Sequence, residues 1–128
     1  MSIYPAVRYD DPNKAVDWLC KAFGFTQEKV YRDDAGGVRH AVLSLGADSK
    51  IMVSGPSEAG WLGGSAADPL ASPVSLYAVV ADPVAHHDRA VAEGATVVME
   101  LQHMDYGSHE YSARDPEGTL WSFGTYQP

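Results

Sequence analysis

One landmark occurs twice in this chain and constrains its fold more than anything else in it. An apolar run ends in Asp-Pro, and one helix-length later a glycine follows. The pairs are Asp11-Pro12 and Asp82-Pro83, and the glycines are Gly24 and Gly94. The offset is 71 residues for the pair and 70 for the glycine, so the chain reads as a tandem duplication. An acidic residue before proline starts a helix: its carboxylate caps orphan N–H groups, and proline fits the first turn. The glycine suits the left-handed residue that closes the helix. Between the first pair of landmarks, Ala15, Val16, Trp18, Leu19, Ala22 and Phe23 recur at helical spacing and give one apolar face.

Turn-rich clusters divide the rest. Asp33-Asp34-Ala35-Gly36-Gly37 and Gly46-Ala47-Asp48 separate predicted strands over 26–32, 38–45 and 49–54, with a first strand over 3–9. The second copy predicts strands over 74–81, 96–101, 107–114 and 119–126, around a helix ending near Glu93, and Asp115-Pro116-Glu117-Gly118 is a strong turn. Each copy is therefore a β-α-β-β-β unit. The expected fold class is α+β: two tandem repeats forming a curved mixed sheet around a cleft, with the helices on its convex face. Residues 1–128 are expected to make one domain, with repeat one over 1–55, a Gly/Ala/Ser/Pro-rich connector over 56–73, and repeat two over 74–128. The concave face is where a small molecule would be enclosed.

A net charge of −8 argues against nucleic acid as a partner, since phosphate contacts need clustered Lys and Arg. The same acidity favours cationic ligands at long range, or only keeps the protein soluble. Cys20 is the single cysteine, so no intramolecular disulfide or cysteine-based zinc cluster is expected, and a reducing cytoplasm is the expected location. No segment reads as a signal peptide or approaches the ~20 apolar residues of a membrane span.

Two such halves, each with a strand ending in Asp-Pro, resemble the vicinal oxygen chelate superfamily, which includes glyoxalase I, bleomycin-resistance proteins and extradiol dioxygenases. The C-terminal segment 106–124, with Asp115-Pro116-Glu117-Gly118 and Trp121-Ser122-Phe123-Gly124, looks like the ending of many small members. In metal-dependent members each half supplies two inward ligands, one from its first strand and one from its last. The resemblance puts these positions at Tyr4, Met52, Ser75 and Ser122, none of them His or a carboxylate. Met and Ser are poor ligands for a divalent ion, and the neighbours Ile3, Pro5, Ile51, Val53, Val74, Leu76, Trp121 and Phe123 are no better. No metal and no other cofactor is therefore expected. An arginine at the position of Arg8 contacts a glutathione carboxylate in glyoxalase I, so Arg8 is a candidate for an anionic ligand group, or for an ordinary salt bridge. The resemblance also implies a homodimer.

The remaining candidates come from strand parity and composition. Tyr4, Met52, Tyr77 and Tyr106 offer an apolar and aromatic lining suited to a flat ligand, and Trp61 in the connector is a lid, an interface residue or equally loose packing. Trp18 and Trp121 read as core. Glu110 shares a strand face with Ser112 and is a candidate base or cation contact, or else a solvated edge charge, and His109 is a candidate acid or base. His86 and His87 are adjacent on a helix and point about 100° apart, too far to clamp one ion. His87, between Val84 and Val91 on an apolar stripe, reads as a partly buried core histidine. His40, His103 and His109 are candidates for a non-standard metal site with Glu110. The leading expectation is a metal-free binder of a small organic molecule, sequestering a toxic metabolite or antibiotic. The alternatives are a lyase or isomerase using a displaced metal or a protein acid/base, and a ligand-free interaction module.

Overall fold

The computed structural model describes residues 4–55 and 74–127. The connector over 56–73, with Trp61, lies outside the described residues. The chain divides into two compact units, Met1–Ala67 and Asp68–Pro128.

The first unit runs β1 (Ala6–Arg8), α1 (Pro12–Phe23), β2 (Thr26–Arg32), β3 (Val38–Leu45) and β4 (Ser49–Ser54). The second runs β5 (Leu76–Val79), α2 (Pro83–Ala92), β6 (Thr96–His103), β7 (His109–Arg114) and β8 (Leu120–Gly124). Each builds a four-stranded mixed sheet, in the orders β1-β4-β3-β2 and β5-β8-β7-β6. The first strand of each unit runs parallel to the last, and the other pairs are antiparallel. This is the α+β architecture of two tandem repeats that the duplication predicts.

The helix starts follow the sequence closely. The Asp11 carboxylate accepts from the Lys14 N–H at 3.1 Å, and that of Asp82 from the Ala85 N–H at 3.0 Å, each ahead of a first-turn proline. The outer strands are shorter than predicted: β1 and β5 each have one neighbour, and the chain beyond them turns at once into a helix cap. By contrast β6 extends to His103, because His103 stays in register with His109.

In the first unit Ala41, Leu43, Ile51 and Val53 alternate along β3 and β4, buried together with Leu19, Ala22 and Phe23 of α1. In the second, Tyr111, Ala113, Trp121 and Phe123 form the buried face. His86 of α2 stacks on Phe123, with ring centroids 4.2 Å apart, and its Nδ1 meets the Tyr111 hydroxyl. The α2 stripe differs in part from the expectation. Val84 and Val91 are 45% and 46% exposed, but His87 between them is partly buried as expected, its ring edge-on to the buried Tyr111 at 5.1 Å between centroids. Its two ring nitrogens lie 3.0 Å from Asp88 and 3.3 Å from Glu100. The helix turns inward about Pro83, His86 and Ala90, since small Ala90 lets it approach the sheet.

Three hairpin turns share one backbone design. The first residue's N–H donates to the carbonyl four residues on, and a left-handed glycine donates back. Two of them are spelled Arg-Asp-x-x-Gly: Arg32 to Gly36 and Arg114 to Gly118. The aspartate Oδ1 accepts from two turn amides, and the arginine donates to the glycine carbonyl at 3.0 and 2.9 Å. In the third, His103 to Gly107, Met104 stands where the aspartate would be, and these side-chain ties are missing.

Candidate binding pocket of the second unit

Strand parity builds the site. Trp121 and Phe123 turn to the buried face, so Ser122 and Gly124 turn to the other, and on β7 Glu110 and Ser112 do the same. The register sets Tyr77 beside Ser122, Ser122 beside Ser112, and Gly124 beside Glu110. The two serine hydroxyls meet at 2.7 Å.

Glu110 lies flat across Gly124. A Cβ at Gly124 would stand 2.4 Å from Glu110 Cγ and 2.9 Å from the Tyr77 hydroxyl, distances no side chain tolerates. With that space left open, Glu110 is only 7% exposed. Both its carboxylate oxygens accept from the Tyr106 hydroxyl, at 2.9 and 3.0 Å. The Tyr77 hydroxyl donates to the Tyr126 carbonyl at 2.8 Å, and the Tyr106 and Tyr126 rings meet edge to face, 5.6 Å between centroids. Tyr77, Tyr106, Glu110 and Tyr126 line an open pocket of about 530 Å³. Two of its phenols are held above their ordinary range. Donation to Glu110 raises Tyr106. Burial raises Tyr77, a hydrogen bond with Ser108 opposes this, and the Glu110 charge adds to it. Both therefore stay protonated and neutral near pH 7.

Of the sequence candidates, Tyr77, Tyr106 and Glu110 are brought together. Ser122 is on the same face, tied to Ser112, and Ser75 is exposed ahead of β5. In the first unit Tyr4 is exposed ahead of β1, and Met52 is half-buried opposite Ala6. Arg8 lies opposite Ser54, and Ser54 opposite His40. Its Nη2 is buried and has no hydrogen-bond partner among the described residues. His103 and His109 do meet, stacked at 4.3 Å, but alternation puts His109 and Glu110 on opposite faces of β7. Glu110 therefore joins neither a histidine metal cluster nor a pair with His109. His40 lies on β3 of the first unit beside Tyr31.

In the strand register Met52 pairs with Ala6 and Ser122 with Tyr77, while Tyr4 and Ser75 lie just ahead of β1 and β5. None of these side chains is an imidazole or a carboxylate, so the residues present do not fit a divalent ion at the superfamily's usual positions. Among the described residues no group of three or more His, Cys, Asp or Glu gathers elsewhere.

Sequence reasoning overlooked Tyr126 and Gly124. Both share the parity of Ser122, and a glycine inside a strand marks close approach of another group. Those two signals were sufficient to find them.

The family model of the Glyoxalase/Bleomycin resistance protein/Dioxygenase superfamily matches residues 3–123. The crystal structure of TioX from Micromonospora sp. ML1 is 32% identical, with a TM-score of 0.76, covering 100% of this chain and 98% of that one. An uncharacterized protein of Mycobacterium tuberculosis is 28% identical over 126 residues, 96% of this chain and 73% of that protein. A bleomycin-binding protein solved in complex with bleomycin shares the fold, with 18% identity, a TM-score of 0.67 and 99% of each chain covered. With a match across nearly its whole length and the twofold β-α-β-β-β architecture, the chain belongs to the Glyoxalase/Bleomycin resistance protein/Dioxygenase superfamily.

Proposed function

We propose that this protein binds a small organic molecule without the divalent metal of its metal-dependent relatives, and that it sequesters a toxic metabolite or antibiotic. The observation that carries this reading is the tyrosine-lined pocket around Glu110. Sequestration needs shape and lining, whereas the lyase and dioxygenase chemistries of the superfamily need a metal to polarise oxygen. The positions expected to hold such a metal carry Tyr4, Met52, Ser75 and Ser122, and their register partners Ala6 and Tyr77 are no better ligands. A relative of the same fold that binds bleomycin supports the binding role. Arg8, with its unpartnered Nη2, is a candidate contact for an anionic ligand group. A homodimer in the cytoplasm completes the proposal. No helix among the described residues is long and apolar enough to cross a membrane.

Thermal-shift screening of a broad metabolite and antibiotic library tests the binding role. A ligand at a hundredfold its Kd stabilises the native state by about 2.7 kcal/mol, an easily read shift. No shift across the library would sink the binder. Metal analysis of tag-free protein tests the second half: a near-stoichiometric divalent metal would overturn the metal-free reading.

A further inference from the structure

We infer that the pocket of the second unit recognises an organic cation, an ammonium or positively charged nitrogen carried on an apolar body. The inference rests on that pocket being the ligand site. Glu110 is almost withdrawn from water, and a carboxylate in that position needs a partner. The partner it has is a neutral phenol from Tyr106, a residue 57% exposed on the hairpin turn where Met104 takes the place of the capping aspartate.

The rest of the unit offers no positive charge to replace it. From residue 56 to the end, the only Lys or Arg residues are Arg89 and Arg114. Arg114 donates to Gly118 at the far end of β7, and Arg89 belongs to α2, across the sheet from Glu110. No described ion pair includes Glu110.

The other lining groups are phenol rings, whose faces attract cations. Since Tyr77 and Tyr106 stay protonated, they add aromatic surface without a second negative charge to solvate. An entering positive nitrogen, with or without an N–H of its own, would pair with the carboxylate by charge while its apolar body meets the rings. A neutral ligand gains only the rings, and an anion is repelled. The net charge of −8 draws cations toward the protein as a whole.

The test is an NMR titration of the full chain with two probes of one shape: 4-tert-butylphenol and its charged counterpart, (4-hydroxyphenyl)trimethylammonium. The cation is expected to bind about tenfold tighter or better, with shifts at the Tyr77, Glu110 and Gly124 amides. In Glu110→Gln, which keeps shape and an acceptor for Tyr106, the ratio of cation to neutral-probe affinity should fall to about threefold or less; a ratio unchanged from the wild type would overturn the inference. Tyr126→Leu leaves the carboxylate in place and should weaken the cation more than the neutral probe. Equal or tighter binding of 4-tert-butylphenol by the wild type overturns the cation inference and leaves the ligand site standing. If neither probe moves those amides at millimolar concentration, the pocket itself is not the ligand site, and both readings fall.

Discussion

At Gly124 the chain forgoes a side chain so that Glu110 can lie across β8 beneath the Tyr77 hydroxyl. Gly124→Ala should therefore push the carboxylate off the strand, costing about 1–3 kcal/mol in a urea unfolding curve, the usual range for overpacking. The variant should also lose binding of whatever compound the thermal-shift screen identifies. Wild-type stability with intact binding would show that Glu110 has another place to go. Tyr111 gives a second residue-level prediction. Burial lifts its phenol well above the ordinary 10.0, and Tyr77 is raised in the same direction. Above about pH 10 the unfolded chain loses these protons while the folded chain keeps them, so stability is complete below that value and falls as pH rises beyond it. Tyr111→Phe should flatten that alkaline decline between urea midpoints at about pH 9 and pH 11. It should also cost about 1 kcal/mol at neutral pH through the lost contact with His86. At this scale the sequence was readable wherever parity applied. The pairing of Glu110 with Ser112, and the burial of Trp121, follow from alternation alone. The Tyr106 bond to Glu110 does not, because Tyr106 reaches it from a turn, where alternation says nothing.

The repeated Arg-Asp-x-x-Gly turn explains why the strand ends around it could be read in advance. Asp115 accepts from the Glu117 and Thr119 amides through Oδ1 and from the Trp121 indole through Oδ2, all while buried. Asp33 holds the same turn at the surface, without an indole partner. Asp115→Ala should cost about 2–4 kcal/mol, against about 1 kcal/mol for Asp33→Ala, because a buried donor set left unpaired pays its full desolvation. Guanidinium unfolding of the two variants checks the order; equal losses would mean that the Trp121 contact adds nothing. Where turn chemistry was weaker, the boundaries moved, as at β6 and at the exposed ends of β1 and β5. The α2 stripe was legible only in part. Val84, His87 and Val91 have helical spacing, yet of the three only His87 turns toward the sheet, against Tyr111, while both valines are exposed. Spacing alone does not reveal which side of a helix meets the sheet; the small Ala90 and the packing of His86 against Phe123 set that here.

On the scale of the whole molecule, the duplication settles the architecture and leaves the chemistry of the two copies free to diverge. The row Arg8–Ser54–His40–Tyr31 across the first sheet has as its counterpart Val79–Gly124–Glu110–Gln102 across the second. A basic end in one copy becomes apolar in the other, and an imidazole becomes a carboxylate. Each copy keeps its capped helix and strand order, which are the features written into local sequence. The repeat offset relates Met52 to Ser122, and the register pairs them with Ala6 and Tyr77, a pairing that the offset alone does not give.

The Tyr106 hydroxyl already spans both oxygens of Glu110. On the proposed reading it is an internal competitor for that carboxylate. Water and simple alcohols offer Glu110 nothing that this phenol does not, so on that reading selection begins with a single hydroxyl that has to let go first.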